Sequence, residues 1–506
     1  MAVATHRVPL AAGSREPTVG RPSMPHYRRF VTRVHRTWRR LDALTRPVEA
    51  ERRTLMAQRW AELPDGVKTD NQLIGRVAVG CEGTHGVFPR CDLTCSPCYH
   101  SSDANKVRID GAHTLREVRR QMAYLRKRRG ARGHAQLIGG EVSLLAPDDH
   151  AAALLAMRAE GREPMSMTHG DFDYRYLRGL ALGPDGSRRF HKLSFAAHFD
   201  SLMRGRRGIP RPRYEVELTP FRAAFADMFV RLRREYGVKS FLAHNMTVTP
   251  SNLGQVAQVV RDTVPMGYSM LSFQPAAFVG DDRRWREGFR ELTPDAVWAQ
   301  IEAGMGTRLP HAAVQMGDPR CNRTAFGLLV GSRWVPLLDE ASAVDLAARD
   351  AYFDHLGGAI LGGIPSWQAA AKSIRAALAH PRAAVVAVRY GGALLRRCGG
   401  PVRVVRDGVR PMTFVMHNFM DATDVAPAWR LLQAGVLSDD SKIRATQERL
   451  QACAYVMAHP DSETLVPACA QHSVLDPDEN AQLRRLLPIF DVTGQDRSLR
   501  SSAAVA

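Results

Sequence analysis

Lysine, cysteine and long apolar runs are all scarce in this sequence, and each shortage excludes something. The 506 residues include eight cysteines, too few for a disulfide scaffold. No apolar run approaches the ~18 residues that a membrane-spanning helix needs. The opening MAVATHRVPLAAGSREPT has no apolar core of signal-peptide type. The expected setting is a reducing cytoplasm, with any membrane contact peripheral. Basic residues outnumber acidic ones 70 to 51, a net charge of +19, yet only seven of the 70 are lysine. So marked an arginine excess, alongside abundant alanine, reads as coding bias, so charge alone names no partner. Hydrophobic residues at 45% and charged residues at 24% are ordinary for a globular chain of two or three domains.

The first 63 residues carry 13 arginines and five acidic residues. Tyr27, Phe30, Val31, Val34, Trp38 and Leu41 recur at helical spacing, with Arg28, Arg29, Arg33, Arg36, Arg39 and Arg40 largely between them. This predicts a basic amphipathic helix within a basic helical N-terminal extension, residues 1–72. Its apolar face is expected to dock on the protein's own body; peripheral membrane contact through residues 27–44 is the alternative. From 73 to 290 strands alternate with helices. Strands are expected at 76–80, 135–138, 165–168, 192–197, 240–248 and 269–273, and helices at 221–236 and 251–263. Thr114-Leu115-Arg116-Glu117 fits a capping box, and Gly130 can close that helix. Repeated strand–helix units imply parallel crossovers. The expected fold class is α/β, a partial (β/α)6-type parallel barrel followed by a C-terminal α+β domain at 291–506. That domain should hold a hairpin at 326–335, turning at Gly331-Ser332, and a glycine-rich loop at 357–363.

The segment that carries chemistry is Cys91-Asp92-Leu93-Thr94-Cys95-Ser96-Pro97-Cys98-Tyr99. Three thiols at spacing C-x3-C-x2-C, just after the first expected strand, can wrap one face of a metal cluster. Thiolates are soft ligands that suit iron–sulfur clusters and zinc. Three of them leave one iron of a four-iron cube without a protein ligand. The competing reading is a structural zinc site completed by His100 or Cys81, although zinc sites usually pair two C-x2-C knuckles or close with two histidines. Gly139-Gly140-Glu141 stands at the end of the next expected strand. Both features thus fall at the C-terminal edge of neighbouring parallel strands, where α/β folds hold ligands. Glycine lets a ligand approach the backbone, and glutamate offers a carboxylate to an ammonium group.

This combination resembles the radical S-adenosylmethionine (SAM) superfamily, over roughly residues 75–285. Val142 stands where many members have proline, and Pro97 precedes the third cysteine. The resemblance implies that Cys91, Cys95 and Cys98 hold a [4Fe-4S] cluster and that SAM chelates the fourth iron. It implies that Gly139, Gly140 and Glu141 contact the SAM amino group. The implied activity is reductive cleavage of SAM and hydrogen abstraction from an unactivated C–H bond, with an electron donor such as flavodoxin or ferredoxin. No general base or nucleophile is named by the sequence.

A narrower resemblance follows. Ser272-Phe273-Gln274-Pro275, Cys321, Val335-Pro336-Leu337, Phe419-Met420-Asp421, Cys453, Ala458-His459-Pro460-Asp461 and Cys469 come in an order similar to one group of that superfamily. The group includes tetraether-lipid synthase and relatives that methylate methanopterin precursors. It implies a lipid or other hydrophobic small-molecule substrate. It also implies a second iron–sulfur cluster on Cys321, Cys453 and Cys469, with Cys398 or His472 as a fourth ligand. The competing reading makes these cysteines buried apolar residues. A peptide, cofactor precursor or RNA is the alternative substrate. Nucleic acid is disfavoured, because no aromatic platform or basic track is recognisable. The non-enzyme alternative is a zinc-stabilised binding protein.

Other polar groups say less. His169-Gly170-Asp171, His198-Phe199-Asp200, His244-Asn245 and Gln274 stand at or near expected strand ends and either face the cavity or serve as satisfied hydrogen-bonding residues. Met416-His417-Asn418 is similarly open. Arg204-Gly205-Arg206-Arg207-Gly208 reads as a solvated surface loop, with a grip on a phosphate or carboxylate as the alternative.

Overall fold

Short apolar strands separated by amphipathic helices give this chain one dominant sheet. The computed structural model describes residues 25–99, 102–280, 284–361 and 364–489. Among these residues the strands are β1 (Cys81–Gly83), β2 (Thr94–Cys95), β3 (Gly133–Leu137), β4 (Arg162–Thr168), β5 (Lys192–His198), β6 (Met203–Arg204), β7 (Lys239–Val248), β8 (Met270–Pro275), β9 (Asn322–Val330), β10 (Arg333–Pro336), β11 (Val409–His417), β12 (Tyr455–His459) and β13 (Thr464–Pro467). Eleven lie in one row, β10-β9-β11-β8-β7-β5-β4-β3-β1-β12-β13, and β2 pairs with β6 alone.

β1, β3, β4, β5, β7 and β8 are parallel neighbours in chain order. Helices Gly111–Arg129, Pro147–Ala159, Tyr174–Ala181, Thr219–Tyr236 and Val256–Thr263 fill the five crossovers. These are the six strand–helix units expected from the sequence. β11 then joins in parallel beside β8, and β12 beside β1. β9 and β10 run antiparallel beyond β11, and β13 antiparallel beyond β12. Residues 322–467 therefore supply strands to both ends of the sheet that residues 81–275 begin. Cys321, just before β9, and Cys469, just after β13, lie within electrostatic reach of each other. Strands so far apart in the row meet only if the sheet curls, so the α/β partial barrel is the observed architecture.

Several boundaries move. Residues 76–80 form a turn instead of a strand: Gly75 N–H donates to Ala78 O, and Gly80 takes φ +116°. Extension begins only after that glycine, where Cys81 N–H donates to Ala454 O. The helix expected to start at Thr114 starts at Gly111, because the Asp110 carboxylate accepts from His113 N–H. Thr114 Oγ1 donates instead to Val87 O at 2.8 Å, tying the helix to the chain that leads into the cysteine loop. Gly130 does close this helix, and the hairpin turn at Gly331-Ser332 is present.

The helices cover the sheet through rings such as Phe172, Phe195, Phe225 and Phe229, with centroids 5.2–6.5 Å apart. Arg162 on β4 pairs with Glu82 on β1 at 2.8 Å, both fully buried, and braces the first strands across β3. The N-terminal helix spans Pro25–Thr45. Its described end does not dock by an apolar face: Trp38 is 68% exposed, and the contacts to helix Ser366–Ala379 are polar. Among the described residues no helix is long and apolar enough to cross a membrane.

Candidate active site

Three residues before the first cysteine fix the site. Phe88, Pro89 and Arg90 lie directly on the end of β3: Gly140 N–H donates to Phe88 O at 2.8 Å, and Glu141 N–H donates to Arg90 O at 2.9 Å. A Cβ on Gly139 would come within 2.7 Å of the Phe88 ring, and one on Gly140 within 2.1 Å of Arg90 O. The close approach that requires this glycine pair is therefore made by the chain's own cysteine loop. Cys91 N–H donates to Asn105 Oδ1 at 2.9 Å. Thr94 and Cys95 pair with Arg204 and Met203, stitching the loop to the turn after β5.

The loop brings its three sulfurs together. Cys95 and Cys98 share a side-chain hydrogen bond, and Cys91 lies within electrostatic reach of both. Burial, with Glu141 next, pushes the Cys91 thiol up to about 12. The Cys98 thiol and burial push Cys95 well up. Without a cation Cys91 and Cys95 hold their protons; three converging thiols are the donor set that a soft, positively charged centre deprotonates.

Glu141 organises the strand ends around the loop. Its Oε1 accepts from Ser143 N–H (2.9 Å), Ser143 Oγ (2.6 Å) and Thr168 Oγ1 (2.6 Å), and its Oε2 accepts from His169 N–H (2.7 Å). His169 Nδ1 accepts from Asp171 N–H, leaving Nε2–H to donate to Asp92 Oδ1 at 2.8 Å, between Cys91 and Cys95. Burial pulls the His169 pKa down, but Glu141 and Asp92 outweigh it and the net shift is upward. The loop is exposed at Arg204, Gly205, Arg207 and Gly208, as read from the sequence, but Arg206 is not: it is 2% exposed and donates to His169 O at 2.6 Å. Its guanidinium also lies 4.6 Å from the Phe199 ring centroid.

The remaining strand-end residues divide. His198 Nε2 bonds Asp200 Oδ2 at 2.5 Å, and Asp200 also accepts from Thr247 and Leu202 N–H groups beside Cys95. His244 is mid-strand, fully buried against Arg222, Phe199 and Tyr268, and so belongs to the packing. Gln274 Nε2 donates to Ser272 Oγ, and Asn418 bonds the Arg320–Cys321 backbone.

The C-terminal cysteines also converge. Cys321, Cys453 and Cys469 lie within electrostatic reach of one another, and burial raises Cys321 to about 11 and Cys469 to about 12. Arg449 Nε donates to Cys321 Sγ at 3.2 Å, and Met420 N–H to Cys469 Sγ at 3.5 Å. Neither fourth partner named from the sequence is prominent here. Cys398 packs with Val330 and Val335, and His472 bonds Asp476 and lies against the Tyr99 ring. Cys81 is the further thiol within reach of Cys453. His100 lies outside the described residues.

Sequence reasoning gave no role to Asp92, Thr168, His85 or Glu479, and named His459 only within Ala458-His459-Pro460-Asp461. Asp92 carried a signal in its place inside the cysteine loop. Among the described residues, the sets with all ligand atoms within 4.8 Å are Cys91–Asp92–His169 and His85–His459–Glu479.

No protein-family model matches this chain, and no curated protein does. Solved structures with a likeness include SuiB from Streptococcus suis bound to S-adenosylmethionine, at 15% identity and TM-score 0.27, over 38% of this chain and 40% of SuiB. SuiB bound to the precursor peptide SuiA gives 14% and 0.27, over 38% of each chain. Native anSMEcpe with bound AdoMet and the Cp18Cys peptide gives 13% and 0.29, over 44% of this chain and 57% of that one. The chain thus spans well under two thirds of the length of the structures it is similar to.

Proposed function

We propose that this chain is a radical SAM enzyme. One observation carries the reading: three thiols and a Gly-Gly-Glu strand end meet at the C-terminal edge of adjacent parallel strands in a partial barrel. Cys91, Cys95 and Cys98 would hold a [4Fe-4S] cluster. Bound there with SAM, such a cluster supplies one-electron cleavage of the sulfonium and hydrogen abstraction from an unactivated C–H bond. The chain's own residues do the positioning. Gly139 and Gly140 let the loop seat on β3, and Glu141 locks the ends of β3 and β4 together. Asp92 and His169 hold the middle of the loop, with Arg206 bracing His169 from behind.

The proposed substrate is a lipid or other hydrophobic small molecule; a peptide, cofactor precursor or RNA is the alternative. Cys321, Cys453 and Cys469 would hold a second iron–sulfur centre, and a flavodoxin or ferredoxin would deliver electrons. Zinc is the competing occupant.

Anaerobic reconstitution tests the reading. The expected product is a brown protein with about four irons per chain, or about eight if both trios load. It should form 5′-deoxyadenosine on reduction with SAM. A colourless protein holding one zinc would overturn the assignment. Lipid and metabolite profiles of a deletion strain, complemented with wild type or with Cys95→Ala, identify the substrate class.

A further inference from the structure

Helices Ser366–Ala379, Pro381–Arg397 and Gly400–Asp407 follow one another between β10 and β11 and pack in succession. The end of Pro25–Thr45 lies on the first of them: Arg375 pairs with Asp42 at 2.7 Å, and Gln368 Nε2 donates to Leu44 O at 3.0 Å. Leu394 and Val404 pack against Val330, Val335 and Cys398, but no residue of Pro381–Arg397 or Gly400–Asp407 is more than partly buried. Other apolar residues of these helices face outward.

The spacing shows design on one face. Trp367, Ile374 and Leu378 stand at i, i+7 and i+11, so they share one side of their helix, and Leu378 is 79% exposed. Gln368, Lys372 and Ala376 take the buried side. Val385, Val388 and Leu395 make the next exposed stripe, and Val402 and Val405 the last, at 76% and 84% exposure. Arg382, Arg389 and Arg396 repeat every seven residues beside the valines. Segments 25–45 and 366–407 together carry fourteen basic residues and two acidic ones. Both acids are neutralised internally, Asp42 by Arg46 and Arg375, Asp407 by Arg403 and Arg406.

We infer that this four-helix face seats the protein on an anionic lipid bilayer, lying in the headgroup layer with its aliphatic side chains inserted and its arginines on lipid phosphates. So many exposed large apolar residues on successive helices call for an occupant. Two copies of the face would bring like charges together across a two-fold axis. A nucleic acid would want stacking rings, whereas nine of the eleven exposed large apolar residues on these helices and the described end of the N-terminal helix are aliphatic. Apolar insertion flanked by arginine is the pattern of an interfacial helix, and helices of this length and charge lie on a membrane without crossing it.

The inference stands apart from the radical chemistry, since vesicle binding needs neither iron nor turnover. The test is co-sedimentation of the full chain with vesicles of phosphatidylglycerol and phosphatidylcholine, against phosphatidylcholine alone. The full chain should bind the anionic vesicles and leave the neutral ones roughly tenfold less occupied. Trp367→Ser with Leu378→Ser and Val388→Ser should lower binding to anionic vesicles by roughly tenfold. Arg382→Glu with Arg389→Glu and Arg396→Glu should do the same, and bound protein should come off as salt rises. These side chains are exposed, so circular dichroism and melting temperature should be unchanged. Equal binding by wild type and both variants overturns the inference. So does a dimer in sedimentation velocity that the serine variant dissociates while no vesicle binds. Stoichiometric capture of an RNA oligonucleotide without vesicle binding overturns it as well.

Discussion

The two cysteine trios reach their positions by different routes. Cys91, Cys95 and Cys98 sit in one loop, shaped by its contact with Gly139-Gly140 and its pairing to Met203–Arg204. Cys321, Cys453 and Cys469 come from distant segments and meet only because the sheet curls and brings β9 near β13. The first trio is a local device on a rigid edge. The second is a closure device, placed where the two ends of an open barrel approach each other. If both hold metal, the first should keep its geometry when the C-terminal part loosens, and the second should not.

The largest break of this comparison is Cys95→Ala. It should abolish SAM-dependent 5′-deoxyadenosine formation to background while leaving any iron on the second trio, measured as about four irons remaining from about eight. Gly140→Ala comes next. Its Cβ would fall 2.1 Å from Arg90 O, and backbone has no rotamer with which to yield. A loss of about 2–4 kcal/mol in stability is expected, with iron leaving the first trio preferentially. Cys453→Ser should spare the first trio, remove about four irons if the second cluster exists, and lower the melting temperature by loosening the seam. Iron analysis and calorimetry on the same samples separate these outcomes.

Locality also explains what could be read in advance. The six strand–helix units were legible because each is a short apolar run closed by glycine or a polar cap within twenty or so residues. The first trio was legible because its cysteines are nearly adjacent in sequence. β11 and β12 gave no such sign: their partners, β8 and β1, lie more than a hundred residues away in sequence, so nothing local marks them as barrel strands. The strand placed at 76–80 slid to 81–83 because the left-handed Gly80 interrupts an apolar run that otherwise looks extended. Arg206 was read as solvated because a glycine-flanked basic loop normally is. Its partners are the main-chain oxygens of His169 and His198, which carry no signature in sequence. The exposed stripes on 366–407 had regular helical spacing, but spacing alone does not say whether an apolar face points in or out.

The smallest expected effect lies at the seam joining the two trios, where β1 pairs with β12. His85, just past β1, places Nδ1 2.9 Å from Glu479 Oε2 and Nε2 2.7 Å from Ala458 O. Both ring nitrogens face acceptors, and only the imidazolium can donate to both. Burial pulls the His85 pKa down, yet the hydrogen bond and charge of Glu479, the Ala458 carbonyl and Asp476 raise it on balance. His459 stacks on it with centroids 3.9 Å apart and donates Nε2–H to Gln471 Oε1; its own pKa is lowered by burial and by His85. A folded-state pKa above the ordinary value stabilises the fold fully at pH below 6.5, and that contribution fades as pH rises through the raised value. Melting temperature should therefore fall by about 2 °C or less between mildly acidic and alkaline buffer. Glu479→Gln should flatten that dependence. A slope unchanged in Glu479→Gln would place the titrating group elsewhere and remove His85 from the seam's account.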